Sequence, residues 1–325
     1  MNRSLLKEAD SCPQRDTLNR YYSLNEYYKR KFGKKIYRLA IGGGMSCPNR
    51  DGTIGERGCI FCSAGGSGEF ASCAALSVAE QLEEAKRRVR SKTRDNLYIA
   101  YFQPFTNTYA PVERLRALYE AAIAPDDIVG LSIGTRPDCL PPEVIDLLRE
   151  INERKPVTVE LGLQTIHEST AAYIRRGYPL SVYDQAVRNL HEAGLEVVTH
   201  VILGLPGETE EMMLETVRYV GRVTDGVKLQ LLHVLEGTDL ADDYCRGTFR
   251  TLTLEEYAHI LCRSIQLLPK NVVIYRLTGD GDKKSLIAPQ WSADKKRVLN
   301  FINRTLAENN IQQGEQIIQE NQAEI

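Results

Sequence analysis

Short apolar runs alternate with amphipathic stretches along most of the chain. Ile36–Ile41, Leu97–Phe102, Ile128–Ile133, Val157–Leu163, Leu195–Leu203 and Val227–Leu232 are rich in Val, Ile, Leu and Tyr. Several are nearly unbroken apolar runs, the pattern of strands covered on both faces. Between them, Pro141–Ile151 places Val144, Leu147, Leu148 and Ile151 at i, i+3, i+4 and i+7 behind an initiating proline, which predicts a helix. Further helices are predicted at Val78–Val89, Val112–Ile123, Val182–His191 and Glu208–Val220. Beyond residue 235 the pattern predicts a helix at Leu254–Leu267, a strand at Val272–Leu277 and a helix at Ala293–Leu306.

This alternation predicts an α/β protein of about six parallel strand–helix units with right-handed crossovers. A full or partial (β/α) barrel fits, as does an open doubly wound sheet, and both place the active site at the carboxyl ends of the strands. The division expected is a polar, Tyr-rich extension (1–34), a core barrel (35–235), a small C-terminal extension closing the barrel mouth (236–307) and a mobile acidic tail (308–325). The tail holds four Glu and no Lys or Arg.

The 325 residues are 42% apolar and 26% charged, with a formal charge of −2. That balance excludes collagen-like, wholly disordered and strongly basic coat-like chains. No run approaches the roughly 20 apolar residues of a membrane span, and the first ten residues have no apolar targeting segment. A cytoplasmic location is therefore expected, with no membrane partner. There the eight cysteines would stay reduced, and any that cluster invite a metal or redox explanation.

Cys47, Cys59 and Cys62 cluster in Cys47-Pro-Asn-Arg-Asp-Gly-Thr-Ile-Gly-Glu-Arg-Gly-Cys59-Ile-Phe-Cys62, and Cys73 follows. Cys12, Cys139, Cys245 and Cys262 are scattered and read as small apolar residues. A redox dithiol at Cys59 and Cys62 is one reading of the cluster, and a zinc site completed by Cys73 is another. Three thiolates from one loop also suit an iron–sulfur cube with one iron left open, since a purely structural cluster would take four ligands. Gly42–Gly44 and Gly65–Gly68 flank the loop, where backbone N–H groups could approach sulfur or an anion. No Gly-x-Ser-x-Gly elbow, Walker loop or His-Glu-x-x-His helix is present.

The loop resembles that of the radical S-adenosylmethionine (SAM) enzymes. Its eleven residues between the first two cysteines, where three are usual, resemble the YhcC/YtqA-like subfamily. That subfamily is related to the radical SAM domains of the Elongator catalytic subunit and of oxygen-independent coproporphyrinogen dehydrogenase. Leu161-Gly-Leu-Gln164, Arg176, His200-Val-Ile-Leu-Gly204-Leu-Pro-Gly-Glu-Thr209 and Thr135-Arg-Pro-Asp138 extend the resemblance, although Gly134 stands where the relatives carry Glu. Tyr275–Gly281 and Leu286–Ser292 also look like this subfamily.

The resemblance implies that Cys47, Cys59 and Cys62 hold a 4Fe–4S cluster whose open iron chelates SAM. Phe61, Gln103, Asn107, Thr108, Gln164, Arg176, His200 and Gly204 would contact the cofactor, Arg176 through its carboxylate; Arg175 is the alternative register. Reductive cleavage would yield a 5′-deoxyadenosyl radical, and a reducing donor such as flavodoxin or ferredoxin is implied. The implied substrate is a tRNA wobble uridine, converted from the 5-carboxymethylaminomethyl to the 5-aminomethyl form. Two basic runs, Lys29–Arg38 and Lys86–Arg94, offer a surface for RNA. Arg136, His233, Arg276, Asp280 and Trp291 are the candidate substrate-side residues. A radical SAM enzyme of a small metabolite, or a non-catalytic zinc-binding scaffold, are the alternatives.

Overall fold

The computed structural model describes residues 20–66, 75–92, 96–279, 281 and 283–317. In chain order the elements are α1 (Leu24–Phe32), β1 (Tyr37–Ile41), α2 (Val78–Val89), β2 (Tyr98–Phe102), α3 (Val112–Ile123), β3 (Ile128–Thr135), α4 (Pro142–Asn152) and β4 (Val157–Gln164). There follow α5 (Glu168–Tyr173), α6 (Leu180–Glu192), β5 (Glu196–Leu203), α7 (Glu210–Val223), β6 (Gly226–Leu231), β7 (Val234–Leu235) and α8 (Asp239–Cys245). The chain continues through α9 (Leu254–Leu267), β8 (Val273–Arg276), β9 (Leu286–Ala288) and α10 (Lys295–Glu308). Among the described residues no helix is long and apolar enough to cross a membrane.

Seven strands form one sheet in the order β1-β2-β3-β4-β5-β6-β8, and every neighbouring pair is parallel. The two edges, β1 and β8, do not pair, so the sheet curls into a partial barrel. The seventh strand comes from the C-terminal extension, so that extension is part of the sheet rather than a separate cover. β7 and β9 form a small antiparallel pair beside it.

Alternation along the strands separates two environments. One face, with Leu39, Ile41, Phe102, Leu131, Ile133, Val159, Leu161, Val197, Val201 and Leu229, packs against the helices as the main core. The other carries Arg38, Tyr101, Ser132, Glu160, His200 and Lys228, which bond to one another inside the barrel. The strands therefore alternate more than their apolar appearance suggested. Ser77 caps α2 and Thr253 caps α9 in reciprocal capping boxes with Glu80 and Glu256, which sets where those helices start.

Two terminal segments pack onto the barrel. Residues 24–32 are helical, and α1 packs Tyr28 against Ile36 and Ile99. Its N-terminal lead lies along β8, where Tyr22 O accepts from Ile274 N at 2.8 Å. The segment 309–317 is likewise no free tail. Ile311 and Gln313 are buried. The Gln313 amide donates to Pro269 O at 2.7 Å and Val272 O at 2.8 Å and accepts from Tyr22 N at 2.7 Å. One glutamine thus satisfies backbone groups that a sheet edge would otherwise leave unpaired. Residues 318–325 lie outside the described residues.

Candidate active site

A cavity opens at the carboxyl ends of the strands. Its wall takes Gln103 after β2, Thr135 and Arg136 at the end of β3, Gln164 ending β4, Ile202 from β5 and His233 after β6. Cys47, Cys59, Phe61 and Cys62 line the same cavity, so one loop delivers three thiols to it.

The wide cysteine spacing is absorbed by a turn that closes on itself. Pro48 O accepts from Ile54 N at 2.8 Å and Asn49 O from Gly58 N at 2.7 Å. Arg50 then reaches across to donate to Cys62 O at 2.8 Å and Ser63 O at 2.6 Å. Gly58, at φ +74, leaves the room for that guanidinium: a Cβ there would lie 2.8 Å from Arg50 Nε. Asn49 ties the loop to the barrel by donating to Arg175 O at 2.7 Å, and it also faces Cys59 Sγ at 3.5 Å. Burial, followed by the neighbouring Cys62, pushes the Cys59 thiol up to about 11. A bound metal would displace that proton. Among the described residues no group of three His, Cys, Asp or Glu side chains is placed to grip one metal ion. Cys73 lies outside the described residues.

The remaining donors fit a small polar cofactor beside those thiols. Gln164, at φ +72, ends β4 with its Oε1 buried and, among the described residues, without a partner. Gln164 also lines the cavity, and a buried acceptor of this kind suits a donor on a bound molecule. Arg176 lines the wall and is buried, whereas Arg175 turns away to pair with Asp239 at 2.6 Å. Arg176 donates to Thr165 O at 2.6 Å and Tyr178 O at 2.9 Å, and stands 4.9 Å from the Tyr178 ring centroid.

The floor is an ionic layer to which the strands contribute in turn. Glu160 on β4 accepts from Arg38 of β1, from Ser132 of β3 at 2.7 Å, from His200 of β5 at 2.9 Å and from Lys228 of β6. Lys228 also donates to Tyr101 of β2 at 3.1 Å. Burial alone would raise the Glu160 carboxyl, but the charges of Arg38 and Lys228 hold it well below the usual range. Burial, then the charge of Lys228, lowers His200 to about 4. An ionised carboxylate only accepts, so neutral His200 must donate from Nε2, which leaves Nδ1 as an acceptor. In strand register Gly134 faces Glu160, so this level of the barrel takes its carboxylate from β4.

Of the sequence-predicted residues, Phe61, Gln103, Gln164, Arg176, His200, Arg136, His233 and Arg276 line the cavity with the three cysteines. Four do not. Asn107 is buried behind the wall, its amide donating to Phe102 O, Pro104 O and Gly134 O at 3.2, 2.9 and 2.9 Å. Thr108 bonds Thr135 Oγ1 and Cys139 O, both at 2.5 Å, as a loop brace. Gly204, at φ +91, packs against Leu252 outside the lining. Trp291 donates to Leu252 O at 3.0 Å and packs its ring on Tyr257, so it is a structural residue. Asp280 lies outside the described residues. Sequence reasoning missed Tyr101, Glu160 and Lys228; the available signal was one charged residue inside an otherwise apolar strand.

Of the basic runs, Lys34, Lys35 and Lys86–Lys92 sit at the other end of the barrel, Arg38 points into it, and Arg94 lies outside the described residues. α2 descends antiparallel to the strands, so Lys86–Lys92 reach the level where β2 begins. Lys34 and Lys35 directly precede β1. The runs meet at Tyr37, whose hydroxyl donates to Lys92 O at 2.5 Å.

Family models for the "Radical SAM superfamily" and the "Radical_SAM C-terminal domain" match residues 51–220 and 224–308. The chain belongs to the radical SAM superfamily. Radical SAM proteins are enzymes that use a 4Fe–4S cluster and SAM. YtqA of Bacillus subtilis (strain 168) is 43% identical over 310 residues, 95% of this chain and 96% of that protein. A tRNA uridine(34) acetyltransferase of Methanocaldococcus jannaschii is 30% identical over 156 residues, 47% of this chain and 28% of that protein. Among solved structures, archaeal Methanocaldococcus infernus Elp3 superposes with a TM-score of 0.65 at 17% identity, covering 86% of this chain and 64% of that one. At that identity the likeness concerns the radical SAM fold.

Proposed function

We propose that Cys47, Cys59 and Cys62 hold the 4Fe–4S cluster, and that Phe61, Gln103, Gln164, Arg176 and His200 surround SAM beside it. The observation that carries this reading is that Cys47, Cys59, Cys62 and Gln164 line one cavity, with Gln164 Oε1 lacking a partner among the described residues. When bound, the cluster and SAM supply a 5′-deoxyadenosyl radical that takes a hydrogen atom from the substrate. The chain's own residues orient and enclose. Arg50 and Asn49 fix the thiol-bearing loop, and His200 offers Nδ1 to a hydroxyl. Ile174, Leu232 and Leu235 supply apolar wall, limiting water and stray hydrogen donors near a reactive radical.

The proposed substrate is a tRNA whose wobble uridine carries a 5-carboxymethylaminomethyl arm, and the products would be the 5-aminomethyl form and glyoxylate. Loss of a hydrogen atom and then an electron from the carbon bearing the carboxylate would give an imine that water hydrolyses, the electron returning to the cluster. Similarity to the tRNA uridine(34) acetyltransferase supports an RNA substrate. So do Lys35 and Lys92, which meet at Tyr37 and suit phosphate contacts away from the mouth. The test compares modified nucleosides in tRNA from cells with and without the gene. Loss of the 5-aminomethyl form with accumulation of its carboxymethylated precursor is expected. An unchanged wobble-uridine profile contradicts the proposal.

A further inference from the structure

Among the described residues that line the cavity floor, cationic side chains outnumber carboxylates. Among the described residues Glu160 is the one carboxylate in the lining, while Lys228 and Arg276 face the same space and Arg38 lies beneath. Each oxygen of Glu160 already accepts twice: Arg38 and Ser132 at Oε1, Lys228 and His200 at Oε2. Burial, more than any neighbour, lowers the Lys228 ammonium to about 7, so its charge is held at a cost. Buried charge of that kind is costly unless an anion completes it.

Lys228 also has a proton to spare. An ammonium donates three hydrogen bonds, and among the described residues Lys228 has two acceptors, Glu160 and the Tyr101 hydroxyl. Its register partner across the β6–β8 ladder is Arg276, so an ammonium and a guanidinium stand on adjacent strands. A planar carboxylate suits such a pair. Gln230, two residues further along β6, lines the cavity above Lys228.

We infer that Lys228 and Arg276 form a carboxylate-binding subsite at the cavity floor, which recognises the carboxylate on the substrate's side arm. This rests on the proposed wobble-uridine substrate, whose arm ends in a carboxylate that the product uridine lacks. The subsite would then distinguish substrate from product and favour release after the carboxymethyl unit is removed. The carboxylate of SAM is the other available source, so the test includes it.

Two anticodon stem–loop RNAs serve as probes, one carrying 5-carboxymethylaminomethyluridine and one 5-aminomethyluridine, with the full-length, anaerobically reconstituted protein. The wild type should bind the first at least about tenfold more tightly. Lys228→Met should reduce that ratio to within about twofold, with Lys228→Arg restoring part of it. Arg276→Gln, at a less buried position, should also reduce the ratio and provides a second readout if Lys228→Met does not fold. An undiminished ratio in Lys228→Met and Arg276→Gln overturns the subsite while leaving the substrate reading intact. Weaker SAM binding with an unchanged RNA ratio assigns the floor to SAM and also overturns it. Failure of the wild type to bind or convert either RNA overturns the substrate reading, and the subsite with it.

Discussion

Glu160 accepts a hydrogen bond from His200 Nε2 at 2.9 Å, with Glu160 fully buried and His200 at the edge of the cavity. The pair links the ionic floor to the wall that faces the cofactor, and it has a measurable pH signature. An unfolded histidine takes a proton below about pH 6.5, but the folded one does so only near 4. Between those values the unfolded state binds more protons, so stability falls as pH falls. Between pH 6.5 and 4.5 the wild type should lose about 1–3 kcal/mol. His200→Asn should flatten this part of the profile in denaturant titrations. The depressed Glu160 carboxyl contributes stability above its unfolded pKa and loses it only at lower pH, which leaves the upper window to His200.

Glu160→Gln removes the counter-charge of both Arg38 and Lys228. Breaking a buried ionic group on one side costs about 3–5 kcal/mol. The melting temperature should therefore fall by several degrees or more. A shift no larger than that of an exposed pair, such as Arg116 with Glu150, would contradict the layer's structural role.

Gln164→Leu removes the orphaned acceptor with little change in volume. One lost hydrogen bond of about 1–1.5 kcal/mol corresponds to a roughly tenfold weaker SAM affinity, measurable by calorimetry on the reconstituted protein. Unchanged affinity would remove Gln164 from the cofactor wall.

Gln313→Ala should destabilise the chain by about 2–3 kcal/mol, since it deletes three bonds around the β8 edge and leaves buried backbone groups unpaired. A thermal melt indistinguishable from wild type would contradict the docked position of residues 309–317.

The strand and helix order was legible because apolar periodicity survives in each unit: α2, α3 and α9 begin and end where the pattern predicts. The seventh strand was legible as a strand, but its place in the sheet depends on pairing with β6, which no local pattern encodes. The thiols and Gln164 could be found from the motif. Glu160 and Lys228 could not be assigned, because a lone charge in a strand has the same appearance whether it meets solvent or four partners. Trp291 misled for the converse reason: it stands in a recognisable motif, while its indole turns to Leu252. Gln313 sits in a polar, Gln-rich segment, and only the unpaired edge beside it makes that polarity structural.

Arg50→Ala should loosen the thiol-bearing loop by about 2 kcal/mol through loss of its contacts with Cys62 O and Ser63 O. Less iron should be retained after desalting, with the remainder of the fold intact by circular dichroism.

The central assignment is most directly tested by measuring iron, sulfide and 5′-deoxyadenosine in anaerobically reconstituted protein given dithionite and SAM, for the wild type and for Cys47→Ala, Cys59→Ala and Cys62→Ala. The wild type should hold about four irons per chain and release 5′-deoxyadenosine, and each variant should lose both. Zinc without iron in the wild type, or undiminished 5′-deoxyadenosine from any variant, would contradict it.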